Sequence, residues 1–172
     1  PDFVELLHPG PGYTGGREFF VDNAHVVVRP IPTLDEQRPR SLPTILPKSL
    51  ETAFGSFIAG TALLLGADPS APPVSMLVHS TQRNDIQERY RFLLERLLQN
   101  WTVASSAATA VTDLPAQILS ERARITGLGA PNLPDDQFLD RVRYTLRECT
   151  LWLVNSVSAL KKVDWTVAPV HV

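Results

Sequence analysis

The sequence predicts an α/β domain with a few parallel strands. Three observations carry that expectation. "VSMLVH" (74–79) is an unbroken apolar run of strand length, as expected of a parallel strand buried on both faces. A long amphipathic helix follows it directly, from about 82 to 100, with Ile86, Tyr90, Leu93, Leu94, Leu97 and Trp101 spaced by three and four. A second apolar run, "LWLVNSVS" (151–158), follows two more helical segments. Strand, helices, strand is the order of a parallel sheet.

At 172 residues the chain is one domain's worth of sequence, large enough for a core. It is 44% hydrophobic and 20% charged, with a net charge of −2. No global basic field draws it to nucleic acid or anionic lipid, so any such contact must be local. A single cysteine, Cys149, excludes an internal disulfide and a multi-thiolate metal site. It is expected at the end of a helix as a small buried apolar residue. The chain begins at Pro1 and ends in "VAPVHV", which suggests a segment of a longer protein.

Residues 1–46 hold much of the proline and glycine and are expected to form an arm, regular only in a short strand over His25–Arg29 ("HVVVR"). Residues 47–172 are expected to form the α/β domain. Its first helix should start at Pro47, with Leu50, Phe54, Phe57, Ile58, Leu64 and Leu65 as apolar positions. Ala53, Ala59, Gly60 and Ala62 are small enough to admit a neighbouring backbone. The stretch Ala53–Ala67 is short for a membrane span and carries Gly55, Ser56, Gly60 and Thr61, so a buried central helix is the better reading.

"GADPSAPP" stops that helix and leads to the strand at 74–79. Asn84 with Gln87 resembles a capping box at the start of the next helix. Its other face mixes Arg83, Glu88, Arg89, Arg91, Glu95 and Arg96, as a solvated face does. "VASSAATAVTDLP" reads as a small-residue connection. Asp113 and Pro115 mark a helix start and Gly127 its end. A further helix runs from Pro134 to about Cys149, with Asp135 and Asp136 where the dipole favours them. "VDWTVAPVHV" holds one more short strand.

Most signals of chemistry are missing. "GPGYTGGRE" is glycine-rich but lacks the Gly-Lys-Ser/Thr ending of a phosphate-binding P-loop, and reads as a turn. His8, His25, His79 and His171 form no His-x-x-x-His or Glu-x-x-His pair. No Gly-x-Ser-x-Gly elbow, paired acid and base, or clustered nuclease-type Asp/Glu-x-Lys is present. What remains are two strand ends, "HST" (79–81) and "NSVS" (155–158). In an open α/β sheet ligands bind beyond the carboxyl ends of the strands. Hydroxyls and amides there, beside a helix start, can hydrogen-bond phosphate oxygens. The plainer alternative is that Ser80 and Thr81 cap the helix and His79 packs at its edge.

"LPKSLETAFGSFIAGTAL", "SMLVHSTQRNDIQ" and "WLVNSVS" together resemble the Z1 domain of bacterial helicase-like ATPases associated with restriction endonucleases and phage defence. The matching positions are Leu46 and Pro47, Phe57–Ala59, Ser75–His79, Thr81 and Gln87, and "GYTGGREFF" is similar to the segment that opens the family. The resemblance covers most of 12–172, and Ser75–His79 is its most specific part.

It implies a partial RecA-like fold, the second motor domain of a superfamily 2 helicase, with inserted helices at about 105–149. The strand at 74–80 and "LWLVNS" would be neighbours in its sheet. The family's later motor segments, Gly-Gly-x-x-Leu-Ser-Arg-Gly and Gln-x-Gly-Arg-x-Phe-Gly, do not occur in this sequence.

The resemblance therefore implies a fragment of an NTP-dependent DNA translocase with no complete active site, no catalytic residue and no metal ligand of its own. His79, Thr81, Asn155 and Ser156 are the candidates for contact with nucleic acid or an interdomain cleft. ATP and Mg²⁺ would belong to the parent protein. DNA and a nuclease subunit would be its partners, with no membrane, in the cytoplasm. A non-enzymatic scaffold that docks a nuclease is the competing expectation.

Overall fold

The computed structural model describes residues 17–36, 42–79, 82–154, 164 and 168–172. The chain divides into two units, Pro1–Pro32 and Thr33–Val172. In the first, a π-helical turn (Glu18–Asp22) precedes a short helix α1 (Ala24–Val27). The strand expected over His25–Arg29 is not formed. Val26 and Val27 donate their N–H groups to the Asn23 carbonyl, and the backbone becomes extended only from Val28. Among the described residues no strand pairs with it, and a strand needs a partner to satisfy its backbone.

The second unit is mixed α/β, mostly helical, with a small three-strand parallel sheet. A short helix α2 (Thr33–Glu36) comes first, and the Asp35 carboxylate accepts the Ser49 N–H at 2.8 Å. Helix α3 (Lys48–Ala67) starts where Pro47 predicts, and Leu50 and Glu51 donate to the Pro47 carbonyl. Asp68 ends it by accepting the Ser70 hydroxyl and N–H at 2.6 and 2.9 Å. Phe54, Ile58, Ala59 and Ala62 are fully buried against α5 (Ala116–Gly127) and α6 (Asp135–Arg147). Each large side chain so buried contributes about 1.5–3 kcal/mol. By length and composition α3 alone among the described helices could cross a membrane, yet much of its apolar surface packs in this core.

Helix α4 (Asn84–Ala107) runs a full turn or more past the expected end. The run "VASSA" contains no breaker, and Ser105 continues the buried stripe of Trp101. Arg143 of α6 then donates to the carbonyls of Ser105 and Ala108 at 3.0 and 2.7 Å, satisfying groups a helix end leaves open. At the other end the capping box is absent. Arg83 occupies the cap position without a side-chain cap bond and instead pairs with Asp85.

A 3₁₀ turn (Val111–Asp113) leads to α5. Arg122 of α5 reaches Asp135 at 2.7 Å and the Leu133 carbonyl at 2.5 Å, and lies over the Phe138 ring, which fixes α5 against α6. With Ile118, Phe138 and Val142 fully buried, the helices within 105–149 build the core together with α3 rather than decorate it.

The strands are β1 (Val74–Ser75), β2 (Cys149–Thr150) and β3 (Val170–His171), in the order β1-β3-β2, all parallel. The expected neighbours are thus not adjacent, because the last strand inserts between them. Single hydrogen bonds from Met76 N to His171 O and from Trp152 N to Val172 O carry the pairing slightly further. Cys149 opens β2 instead of closing α6.

Register sets two faces. Val74, Val170 and Cys149 align toward the helices, followed by Met76, Val172 and Leu151. Ser75, His171 and Thr150 align on the other face. The expectation that β1 is covered on both faces fails beyond the ladder, since Leu77 is 90% exposed.

Candidate functional site

Because all three strands are parallel, their carboxyl ends share one rim. A cleft of about 210 Å³ opens there, between the strand ends and the first turns of α4. His79, Gln87, Tyr90, Arg91, Trp152 and His171 line it, along with apolar residues of the strands. His79 is exposed. Thr81, Asn155 and Ser156 lie outside the described residues, so of the four expected site residues His79 alone is placed.

The cleft's polar contacts are specific. The Trp152 indole N–H donates to Nδ1 of His171 at 3.0 Å, and the rings sit 6.3 Å apart and tilted by 37°. Sheet register produces this contact: Trp152 is two residues beyond Thr150, the partner of His171, and so shares its face. On the α4 side, Gln87 and Arg91 are four residues apart on one helix face. Arg91 forms an ion pair with Glu95, which matches its charge. Burial, and then the negative charge of Asp35, push the Tyr90 phenol above its ordinary value. A phenol is neutral at physiological pH in any case, and this shift carries its ionisation further from that range.

A larger hollow of about 680 Å³ runs between the segment 43–48 and α4 and shares Tyr90 with the cleft. Arg89 pins that segment by donating to the Pro43 carbonyl at 2.7 Å. Its rim mixes Asp35, Lys48, Glu51 and Arg96, so it presents no field of one sign. Among the described residues no group of three or more His, Cys, Asp or Glu side chains converges to hold a metal.

Sequence reasoning missed Trp152 and His171 as site residues. Neither stands out alone, and a register for the last strand was needed to bring them together. Gln87, read as a helix cap and as part of the string that carries the resemblance, proves to be a cleft residue. The described part of the rim combines an oriented indole, a phenol, an amide and a charge-matched guanidinium, groups that can stack and hydrogen-bond. No family model matches the chain, and no curated protein or solved structure matches it either.

Proposed function

We propose that residues 47–172 are part of a RecA-like motor domain of the Z1 kind, working within an NTP-dependent DNA translocase or helicase-like subunit of a bacterial restriction system. One observation carries the reading: three parallel strands end on a common rim, and a cleft opens there beside His79 and the start of α4. Parallel α/β sheets bind their ligands at this rim. The string Ser75–His79, which bears the resemblance, runs from β1 to its edge, and Gln87 lines the cleft.

In this reading His79, Thr81, Asn155 and Ser156 contact the DNA backbone or a neighbouring motor domain. ATP and Mg²⁺ are held elsewhere in the parent protein, which acts in the cytoplasm with a nuclease subunit. The test is ATP hydrolysis by the parent protein with and without duplex DNA. DNA-stimulated hydrolysis, weakened by His79→Ala, is expected; no hydrolysis under either condition rejects the motor reading.

A second reading, a scaffold that docks a nuclease, is favoured by Phe92. It is 44% exposed on α4, with the guanidinium groups of Arg89 and Arg96 at 5.0 and 5.9 Å from its ring centre. Aromatic residues and arginine dominate interface hot spots. Capture of a nuclease that survives His79→Ala but is lost with Phe92→Ala would select this reading.

A further inference from the structure

We propose that the rim cleft seats a single nucleobase. This deepens the nucleic-acid reading above and rests on it for the source of the ring. Size comes first. At about 210 Å³ the cleft is smaller than the roughly 300–1,000 Å³ of sites for drug-sized ligands. It holds one ring system and not a whole nucleotide.

The walls suit a flat ring. Half-buried Trp152 supplies aromatic surface among apolar strand side chains, and the largely buried Tyr90 lines the same cleft. The bond to His171 fixes the indole before any ligand arrives, so stacking on it costs little further ordering. Gln87 brings an amide with both donor and acceptor atoms, matching the mixed edge of a base.

Charge argues against a phosphate in the same place. Glu95 matches the charge of Arg91, and the Tyr90 phenol, like any tyrosine near pH 7, is neutral. The cleft therefore favours a neutral heteroaromatic ring over an anion. Backbone phosphates belong at the rim, where His79 is exposed.

The experiment compares binding of three probes to the 172-residue chain: a short oligothymidylate, an abasic strand of the same length and phosphate count, and free nucleosides. The base-bearing strand should bind roughly 5- to 150-fold more tightly than the abasic one, the range that stacking of one base supplies. Gln87→Leu should shrink that ratio while leaving abasic binding unchanged.

Equal affinity for the two strands overturns the base seat and leaves the DNA reading standing, as does a ratio that Gln87→Leu does not alter. Nucleosides bound in a Gln87-dependent way, with neither strand bound, uphold the seat and show that its ring is not supplied by a single strand. Binding of none of the probes overturns the base seat, and the motor reading is then decided separately by the DNA-stimulated ATP hydrolysis of the parent protein.

Discussion

The indole N–H of Trp152 meets Nδ1 of His171 at 3.0 Å, joining the chain just past β2 to the last strand. His171 is 1% exposed, and its Nδ1 accepts this bond. The second face of the sheet thus carries a polar link where the first carries Val170 and Cys149. Trp152→Phe removes the donor and strands a buried acceptor. The expected cost is about 1–3 kcal/mol, measured as a lower urea midpoint with an unchanged slope. An unaltered midpoint would show that the bond contributes nothing.

Two glycines of α3 should answer oppositely to the same change. A Cβ on Gly60 would lie 3.8 Å from Ile125 Cδ1, ordinary contact distance. A Cβ on Gly55 would come within 3.2–3.3 Å of Gln117, including its backbone C and O, so α5 would have to yield. Gly60 is one of the four small positions expected to admit a neighbouring backbone, yet the backbone found close to an added Cβ is that of Gln117 at Gly55. Gly60→Ala should stabilise the protein by about 0.5–1 kcal/mol through helix propensity, and Gly55→Ala should lose that gain. Thermal unfolding of both variants checks the order, and a Gly55→Ala melting temperature equal to or above that of Gly60→Ala contradicts it.

How far the sequence reveals this fold depends on how local each cause is. Helix α3 is legible because Pro47, its apolar positions and "GADPSAPP" all lie within one segment. Asp113, Pro115, Gly127 and Asp135 likewise frame α5 and α6. The end of α4 is not legible, because the arginine that closes it sits on α6, with 35 residues separating Arg143 from Ala108.

The apolar run 74–79 shows that a strand is there, but not which strand lies beside it or whether Leu77 is covered. The candidate site shares this limit. His79 is visible as a polar residue at a strand end, whereas Trp152 and His171 become a pair only once β3 enters between β1 and β2.

Acid should weaken the turn that starts α5. The Asp113 carboxylate accepts the N–H groups of Ala110 and Thr109 at 2.9 and 2.8 Å and the Thr109 hydroxyl at 3.1 Å. Those bonds, the Ala110 N–H foremost, hold its carboxyl below the usual range. A folded-state value below the unfolded one means that the native state binds fewer protons. The stabilisation is then complete above about pH 4–5 and is lost as pH falls through the folded value. Asp113→Asn should be less stable than the parent at pH 7, and the gap should narrow below about pH 4. Urea midpoints across that range test it; a gap that is constant with pH assigns the turn no carboxylate contribution.

Cys149 reports whether the sheet opens. Its side chain lies on the helix-facing side of β2, opposite Val170, and burial pushes the thiol up to about 12. At pH 8 only about one part in ten thousand is thiolate in the folded protein, and the thiolate is the species that reacts. Native-state labelling by a disulfide reagent should therefore be far slower than labelling in urea, and should proceed through opening of the β2–β3 pairing. Trp152→Phe loosens that edge and should speed labelling, whereas Gly60→Ala, on the helical side, should not. Rapid native labelling, insensitive to Trp152, would mean that Cys149 is accessible without any opening of the sheet.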